Sequence, residues 1–122
     1  MVFRTRKLIK PADLNARGTL FGGRVMEWID EESAIYAICQ LETTSVVTKY
    51  VSEFDFVNTA LLGEIVEIGV EVLKFGTTSI TLRAEVREKE SKRAIVKVEK
   101  IVFVCVGEDG HSVPHGKTIA KE

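Results

Sequence analysis

The chain has 122 residues, of which 45% are hydrophobic and 29% charged, and its formal net charge is −1 at pH 7. This length suits a single domain with a core of its own. The near-neutral charge gives no electrostatic reason to expect a nucleic-acid partner or an anionic membrane surface, and no apolar run is long enough to span a membrane.

The first half of the chain predicts one strand and one long helix. Residues 2–9 are typical of a strand that ends before Pro11, and a loop rich in turn-forming residues follows. Apolar residues then recur at helical spacing between about Arg24 and Gln40, which indicates a helix with one apolar side. The apolar positions of this helix are Val25, Met26, Ile29, Ala34, Ala37, Ile38 and Leu41.

The second half of the chain is β in character. Apolar and polar residues alternate in 64–74, 78–88 and 94–99, which predicts antiparallel strands with one face on a core and one in water. Segment 45–56 is a more mixed strand, and 101–106 is apolar on both faces. A strand that is apolar on both faces must pack against protein on each of them. We expect the helix to cover one face and, in so short a chain, another subunit to cover the other. The pattern predicts an α+β fold with a sheet curled around one helix.

The chain is expected to form one domain over residues 1–108 with a polar C-terminal tail, 109–122, that is mobile at its end. Cys39 and Cys105 are too few for a disulfide framework and are interpreted as small core residues in a reducing compartment. The N-terminal residues carry several charges and lack the apolar stretch of a secretion signal, so we expect a cytoplasmic location.

Two adjacent glycines and an acid mark the candidate site. Gly22 and Gly23 open the predicted helix, and Asp30 lies about two turns further along, on or beside its apolar side. N–H groups at a helix start favour negative charge, and a carboxylate on an inward face is costly to bury. The combination is consistent with acyl transfer or hydrolysis. The alternatives are an ordinary solvated helix acid and glycines that merely permit a tight turn.

Other chemistry is not expected. His111 and His115 both lie in the tail without partners at ligand spacing, so we expect no metal site. No serine or cysteine occupies a nucleophile elbow, and no phosphate-loop or dinucleotide fingerprint is present.

A series of different short motifs occurs along residues 5–108. They are Asp13-Leu14-Asn15, Gly18, Phe21-Gly22-Gly23, Met26, Asp30, Thr48, Phe56 with Gly63, Lys74-x-Gly76-x-Thr78-Ser79 and Phe103-Val104-x-Val106. In their joint order and spacing they resemble the signature of hotdog-fold acyl-CoA thioesterases, most closely the short bacterial and cytosolic acyl-CoA hydrolases. Thr59 departs from that pattern, since the family usually has proline there.

The resemblance implies a hotdog fold, in which a long antiparallel sheet wraps around one central α-helix. It implies hydrolysis of acyl-CoA to a carboxylic acid and free CoA, with Asp30 as general base or nucleophile. The Gly22 N–H would stabilise the oxyanion, with Gly23 adjacent. Asn15 would orient the water or the thioester, whereas without the resemblance the residue is better interpreted as stabilising its loop through an Asx turn.

The resemblance also implies partners. Phe21, Lys74, Gly76, Thr78 and Ser79 would bind the substrate and its CoA portion, whereas the last four could otherwise form only a polar hairpin. The site would lie at the interface of a homodimer, with Asn15 and Asp30 from different subunits, and the dimers would assemble into a tetramer or hexamer. No cofactor is implied, because CoA belongs to the substrate and product.

Three other functions stay open at this point. The first is a hotdog module that binds acyl-CoA as a sensor without turnover. The second is a dehydratase or hydratase, which normally needs a histidine beside the acid, and none precedes residue 111. The third is a structural dimerisation module.

Overall fold

The computed structural model describes residues 1–121. Its elements are β1 (Val2–Leu8), a short 3₁₀ turn (Pro11–Asp13), α1 (Gly22–Leu41), β2 (Val46–Val51), β3 (Asp55–Phe56), β4 (Ile65–Phe75), β5 (Ser79–Glu88) and β6 (Ala94–Cys105). The strands form one antiparallel sheet in the order β1-β4-β5-β6-β2, and β3 pairs with β6 beside that path. Helix α1 contacts β2, β4, β5 and β6. The α+β arrangement that the sequence predicts is therefore confirmed.

Helix α1 buries a slightly different stripe from the one expected. Met26, expected in the stripe, is 39% exposed, whereas Trp28, which was left out, is buried. Each residue turns the helix by about 100°, so Met26 lies well round from the core-facing row that starts at Val25. Cys39 is exposed rather than buried, unlike Cys105. The buried positions are Val25, Trp28, Ile29, Ser33, Ala37, Gln40 and Leu41.

Strand β6 is one continuous strand that contains a β-bulge. It pairs with β5 through Leu82 opposite Ile101 and Ala84 opposite Val98, so one residue of β5 faces two of β6. The extra residue reverses which side chains point to the core, because side chains alternate along a strand. The sequence pattern accordingly changes between 94–99 and 101–106, although both belong to one strand.

The mixed segment 45–56 is two strands rather than one. β2 ends opposite Ile101 and β3 begins opposite Lys97, one on each side of the bulge in β6. Between them the Ser52 N–H donates to the Lys100 carbonyl at 2.8 Å, and the Lys100 N–H donates to the Ser52 hydroxyl at 3.2 Å. The interruption follows from the bulge, because a bulge bends the strand that contains it.

The polar face of the sheet is not everywhere in water. Glu67 on β4 is only 3% exposed, and it forms ion pairs with Arg6, Arg87 and Lys92. Burial raises the pKa of this carboxyl, but the hydrogen bonds from Arg87 and Arg6 and the charge of Lys92 outweigh burial and bring the pKa below its usual value. The strand alternation predicted a solvated glutamate here, and that prediction is wrong because three cations cover the side chain.

Residues 106–121, here called the C-terminal strap, are held against the rest of the domain. The Val113 N–H donates to the Cys105 carbonyl, and the His115 N–H donates to the Thr77 carbonyl. At the end of the strap, Gln40 and Lys121 exchange two hydrogen bonds of 3.0 and 2.8 Å. The strap therefore contacts α1 as far along as Lys121. No helix in the described residues is long and apolar enough to cross a membrane.

Candidate active site

The start of α1 presents two backbone donors. Phe21 is the N-cap in an extended conformation, and its carbonyl accepts hydrogen bonds from the N–H groups of Arg24 and Val25. Among residues 1–121, no acceptor lies within hydrogen-bond distance of the Gly22 or Gly23 N–H. Both glycines thus lie inside the first turn of the helix, slightly earlier than the predicted start at Arg24. Two N–H groups without acceptors at a helix start suit a developing negative charge.

Close packing explains Gly23, whereas Gly22 has room for a side chain. Neither Gly22 nor Gly23 has a positive φ angle, so neither is needed for a left-handed turn. A Cβ atom at Gly23 would lie 2.8 Å from the Phe21 ring, and one at Gly22 would lie 3.6 Å from the Phe56 ring. The absent side chain of Gly23 therefore leaves room for the Phe21 ring, and Gly22 adds no side chain to the wall of the cavity described next.

A cavity of about 250 Å³, here called the helix-start cavity, opens beside Gly22. Its walls combine a few polar groups with mostly apolar side chains from the loop before α1, from β3 and from β6. Residues on these walls include Asn15, Leu20, Val25, Phe56, Asn58 and Val96. A largely apolar cavity with the backbone of Gly22 on its wall suits a ligand that has an apolar chain and a polarised carbonyl.

Asn15 stabilises its own loop and also reaches this cavity. Its side-chain oxygen accepts the N–H groups of Arg17 and Thr19 at 2.9 and 3.2 Å, and its amide nitrogen donates to the Thr19 hydroxyl at 3.0 Å. The Asx-type turn left open by the sequence is therefore present. The structure places Asn15 on the same cavity as Gly22, so the loop role and a position at the site coexist.

Asp13 holds this loop against the helix, a role that the sequence did not single out. The carboxylate is buried and accepts the Lys10 N–H at 2.9 Å, and it pairs with the Arg24 guanidinium at 3.2 Å. The Asp13 carbonyl accepts the Phe21 N–H at 2.8 Å. The side chain and the backbone of Asp13 thus both hold the loop before α1 against the start of the helix.

Asp30 lies away from the helix-start cavity of its own protomer. It follows Gly22 by eight residues, which is about 12 Å along the helix axis, and it does not line that cavity. The side chain is exposed, and the Thr48 hydroxyl donates to its Oδ1 at 3.0 Å. The expected inward position is wrong for the single protomer, because Asp30 comes one residue after the core-facing Ile29 and so points about 100° away from it.

Exposed apolar side chains lie on α1 and on the edge strand β2. Met26, one turn before Asp30, is 39% exposed, and Val47 and Tyr50 of β2 are 48% and 51% exposed. An edge strand with exposed apolar side chains is a favourable place for a second chain to pair.

The expected CoA-binding residues gather around the β4–β5 turn. The Gly76 N–H donates to the Ser79 carbonyl at 2.8 Å, and a Cβ at Gly76 would collide with the Ser79 hydroxyl. Thr78 accepts the Cys105 N–H through its carbonyl, and Lys74 is exposed. None of these four residues lines the helix-start cavity.

A second cavity, of about 440 Å³ and here called the turn cavity, lies between this turn and the C-terminal strap. Gly76 lines it, but Lys74, Thr78 and Ser79 do not. The strap contributes His115, Gly116, Lys117 and Thr118, which the sequence assigned to a tail. The imidazole of His115 lies 2.9 Å from the Ser79 carbonyl and accepts the Lys117 N–H at 2.9 Å. Ser79 and His115 are 36 positions apart in the sequence, so the turn and the strap come together only in the folded chain.

No group of three or more His, Cys, Asp or Glu side chains within residues 1–121 is arranged to hold a metal ion.

Comparison with known proteins decides the family. Residues 17–95 match the family model described as the thioesterase superfamily, which is more than half of the chain. The chain belongs to the thioesterase superfamily. The matched segment includes the helix start, Asp30 and most of the sheet.

Individual relatives of this thioesterase-superfamily chain agree with that assignment. An uncharacterized acyl-CoA thioester hydrolase of Buchnera aphidicola is 35% identical over 93% of this chain and 85% of its own. The structure is similar to that of a mutant of HI0827, a hexameric broad-specificity acyl-coenzyme A thioesterase, with a TM-score of 0.84, 29% identity and coverage of 93% and 85%. It is also similar to a hexameric hotdog-fold thioesterase of Campylobacter jejuni, with a TM-score of 0.75, 25% identity and coverage of 90% and 86%. The predicted hotdog fold is confirmed.

Proposed function

We propose that this protein hydrolyses acyl-CoA thioesters to a carboxylic acid and free CoA. One observation carries the proposal: the Gly22 and Gly23 N–H groups donate no hydrogen bond among residues 1–121, and Gly22 borders a largely apolar cavity. The tetrahedral intermediate of thioester hydrolysis carries a negative oxygen, which such donors stabilise. The names of the similar acyl-CoA thioester hydrolases supply the substrate class.

Asp30 is the proposed acid–base group. In one route, the oxygen of a water molecule bonds to the thioester carbon while Asp30 accepts the proton of that water, and the Gly22 N–H stabilises the resulting oxyanion. The C–S bond then breaks and the CoA thiolate receives the proton. In the other route, an Asp30 carboxylate oxygen bonds to the thioester carbon and the C–S bond breaks to release the CoA thiolate; water then hydrolyses the resulting anhydride and supplies the proton of the thiol. The hydrogen bond from Thr48 orients the carboxylate in both routes.

Two protomers share each proposed site. Within one protomer about 12 Å of helix separates Asp30 from Gly22, which is too far for both to act on one carbonyl. A homodimer that pairs Asn15 and Gly22 of one chain with Asp30 and Thr48 of the other removes this separation. The exposed apolar side chains of α1 and of the edge strand β2 support such pairing. The hexameric state of the two similar solved thioesterases favours a hexamer of such dimers.

The CoA portion would extend to the β4–β5 turn. Lys74, Gly76, Thr78 and Ser79 offer a cation, turn amides and hydroxyls, which suit phosphate groups. Lys117 of the C-terminal strap adds a second cation beside Gly76. Phe21 is 54% exposed beside the glycine pair, where it would flank the thioester. The reaction needs no cofactor beyond the CoA of the substrate, and the cytoplasm is the proposed location.

The decisive experiment measures release of free thiol from acetyl-, butyryl-, octanoyl- and palmitoyl-CoA. We expect Asp30→Asn to lower kcat by about 10²- to 10⁴-fold, because it removes the proton acceptor or nucleophile. Glu31→Gln is the matched control, since Glu31 is the adjacent exposed helix acid and should keep its activity. Full activity in Asp30→Asn would refute the mechanism. Binding of every acyl-CoA by the wild type without turnover would instead indicate the sensor.

A mixing experiment tests the shared site. Asn15→Ala and Asp30→Ala proteins, each poorly active alone, are unfolded together, refolded and assayed. Mixed dimers contain one site with both defects and one with neither, so activity should return to up to about a quarter of the wild-type value, as random pairing dictates. Absence of recovery despite correct assembly would show that one protomer holds the whole site.

A further inference from the structure

Phe56 is the largest side chain on the wall of the helix-start cavity, and its position is closely defined. Its ring lies 3.6 Å from the point where a Cβ of Gly22 would be, which places it directly beside the proposed oxyanion donor. The other side of the residue faces out of the domain, since Phe56 is 51% exposed. The ring therefore forms part of the outer rim of the cavity, between Gly22 and the protein surface.

The backbone that carries Phe56 has little freedom to move. Phe56 pairs with Val96 in the sheet, and the Val57 N–H donates to the Ile95 carbonyl at 2.9 Å. The side-chain amide of Asn58 donates to the Ala94 carbonyl at 2.8 Å. Next to it, Phe54 stacks on Phe56 with ring centroids 6.3 Å apart. A ligand in the cavity would meet the ring as a supported wall.

The cavity behind this wall is small. Its volume of about 250 Å³ lies below the range of about 300–1,000 Å³ that is usual for sites of drug-sized ligands. Leu20, Val25 and Val96 give it an apolar lining that suits an alkyl chain, and the exposed side chains of Phe56 and Val57 form its outer rim.

We propose that Phe56 sets the length of acyl chain that this enzyme accepts, with the helix-start cavity holding short straight acyl chains and the Phe56 ring blocking longer ones. The inference rests on the proposed thioesterase function. A chain that fits gains about fourfold in binding for each buried methylene. A chain that is too long must displace a packed ring, and overpacking of that kind cancels the gain of one or more methylenes.

The test compares kcat/KM across a straight-chain series from acetyl- to dodecanoyl-CoA for the wild type and Phe56→Ala. Removing the ring widens the cavity at its rim, so we expect the optimum to move to longer chains. The octanoyl-to-butyryl ratio of kcat/KM should rise by about tenfold, which corresponds to relief of one overpacked contact. Val57→Phe, which adds a ring at the exposed rim of the same cavity, should move the optimum to shorter chains.

Phe54→Ala is the matched control. It also breaks the aromatic stack, but Phe54 does not line the cavity, so the shape of the chain-length profile should not change. If Phe56→Ala lowers kcat/KM by the same factor for every chain length, the ring is only structural and the inference is wrong. If the wild type hydrolyses no acyl-CoA at all, the proposed function fails, and that outcome is distinct from a parallel profile.

Discussion

The helix-start cavity and the turn cavity are built by different parts of the chain. The first rests on backbone: a helix terminus, paired strands and a loop tied down through buried Asp13. The second is closed by side chains of the C-terminal strap, among them His115 and Lys117. Backbone in regular structure opens only with a large part of the fold, whereas a strap held by a few surface contacts can open alone. The proposed reactive end is therefore rigid, and the proposed CoA end is adjustable.

The largest expected effect comes from the rigid end. A methyl group at Gly22 has room, since it would lie 3.6 Å from the Phe56 ring, but it would occupy the approach to the N–H group. Gly22→Ala should fold normally, because alanine favours a helix more than glycine does. We expect kcat/KM to fall by about 10²-fold, as for a carbonyl displaced by about 1 Å.

Thiol release together with thermal unfolding tests this expectation. An unchanged or higher Tm with low activity would place the defect at the site. Wild-type activity in Gly22→Ala would mean that no substrate approaches this N–H group, and the reactive end would have to be sought elsewhere.

A smaller effect is expected from the adjustable end. Lys117→Ala removes the cation of the strap that lines the turn cavity, so KM for acyl-CoA should rise by up to about tenfold with little change in kcat. The rise should shrink at high salt and disappear with a thioester of N-acetylcysteamine, which lacks phosphates.

Lys121→Ala is the matched control for Lys117→Ala. Both lysines pair with Glu42, but only Lys117 lines the turn cavity. An equal rise of KM in the two variants would mean that the strap matters through its attachment to α1, and the role of Lys117 as a phosphate contact would be refuted.

The smallest kinetic effect is expected from the β5–β6 turn, which belongs to neither cavity. Hydrogen bonds from the N–H groups of Glu90 and Ser91 lower the pKa of Glu88 from 4.5 to about 2. A lowered folded-state pKa means that this carboxylate stabilises the fold above pH 4.5, and that the contribution is lost as the pH falls towards 2.

Glu88→Gln should therefore lower the Tm at pH 7 while kcat and KM stay unchanged. The difference in Tm from the wild type should narrow as the pH falls through this window. A thermal shift series from pH 7 to pH 2.5 measures it. If Glu88→Gln changes KM as much as Lys117→Ala does, loss of stability alone changes the kinetics. The different kinetic effects expected at the two cavities would then not be specific to those cavities.

The sequence predicted what depends on local order. The strand alternation placed Ile80, Leu82 and Val86 correctly in the core, because apolar and polar residues alternate in the sequence of a strand that is buried on one face only. The position of the glycine pair at the start of α1 was likewise predicted, within two residues.

Other features depend on contacts between distant residues and could not be predicted from local pattern. The bulge in β6 is visible only through its pairing with β5, and the burial of Glu67 depends on cations from three other segments. For the same reason the strap looked like a free tail, since Gln40 and Lys121 are 81 positions apart. The exposure of Asp30 follows from its position about 100° round the helix from Ile29, which the sequence had already placed in the apolar stripe.

The hydrogen bond between Thr48 and Asp30 has a consequence for the accuracy of folding. Thr48 belongs to β2, whose pairing with β6 shifts register immediately after this residue. Neighbouring side chains in a strand point to opposite faces, so a slip of β2 by one residue would present Val47 or Lys49 to the acid in place of the hydroxyl. An aliphatic group would leave the carboxylate without its donor, and an ammonium group would neutralise its charge. Correct alignment of a single edge strand is thus a condition for the chemistry at the neighbouring helix.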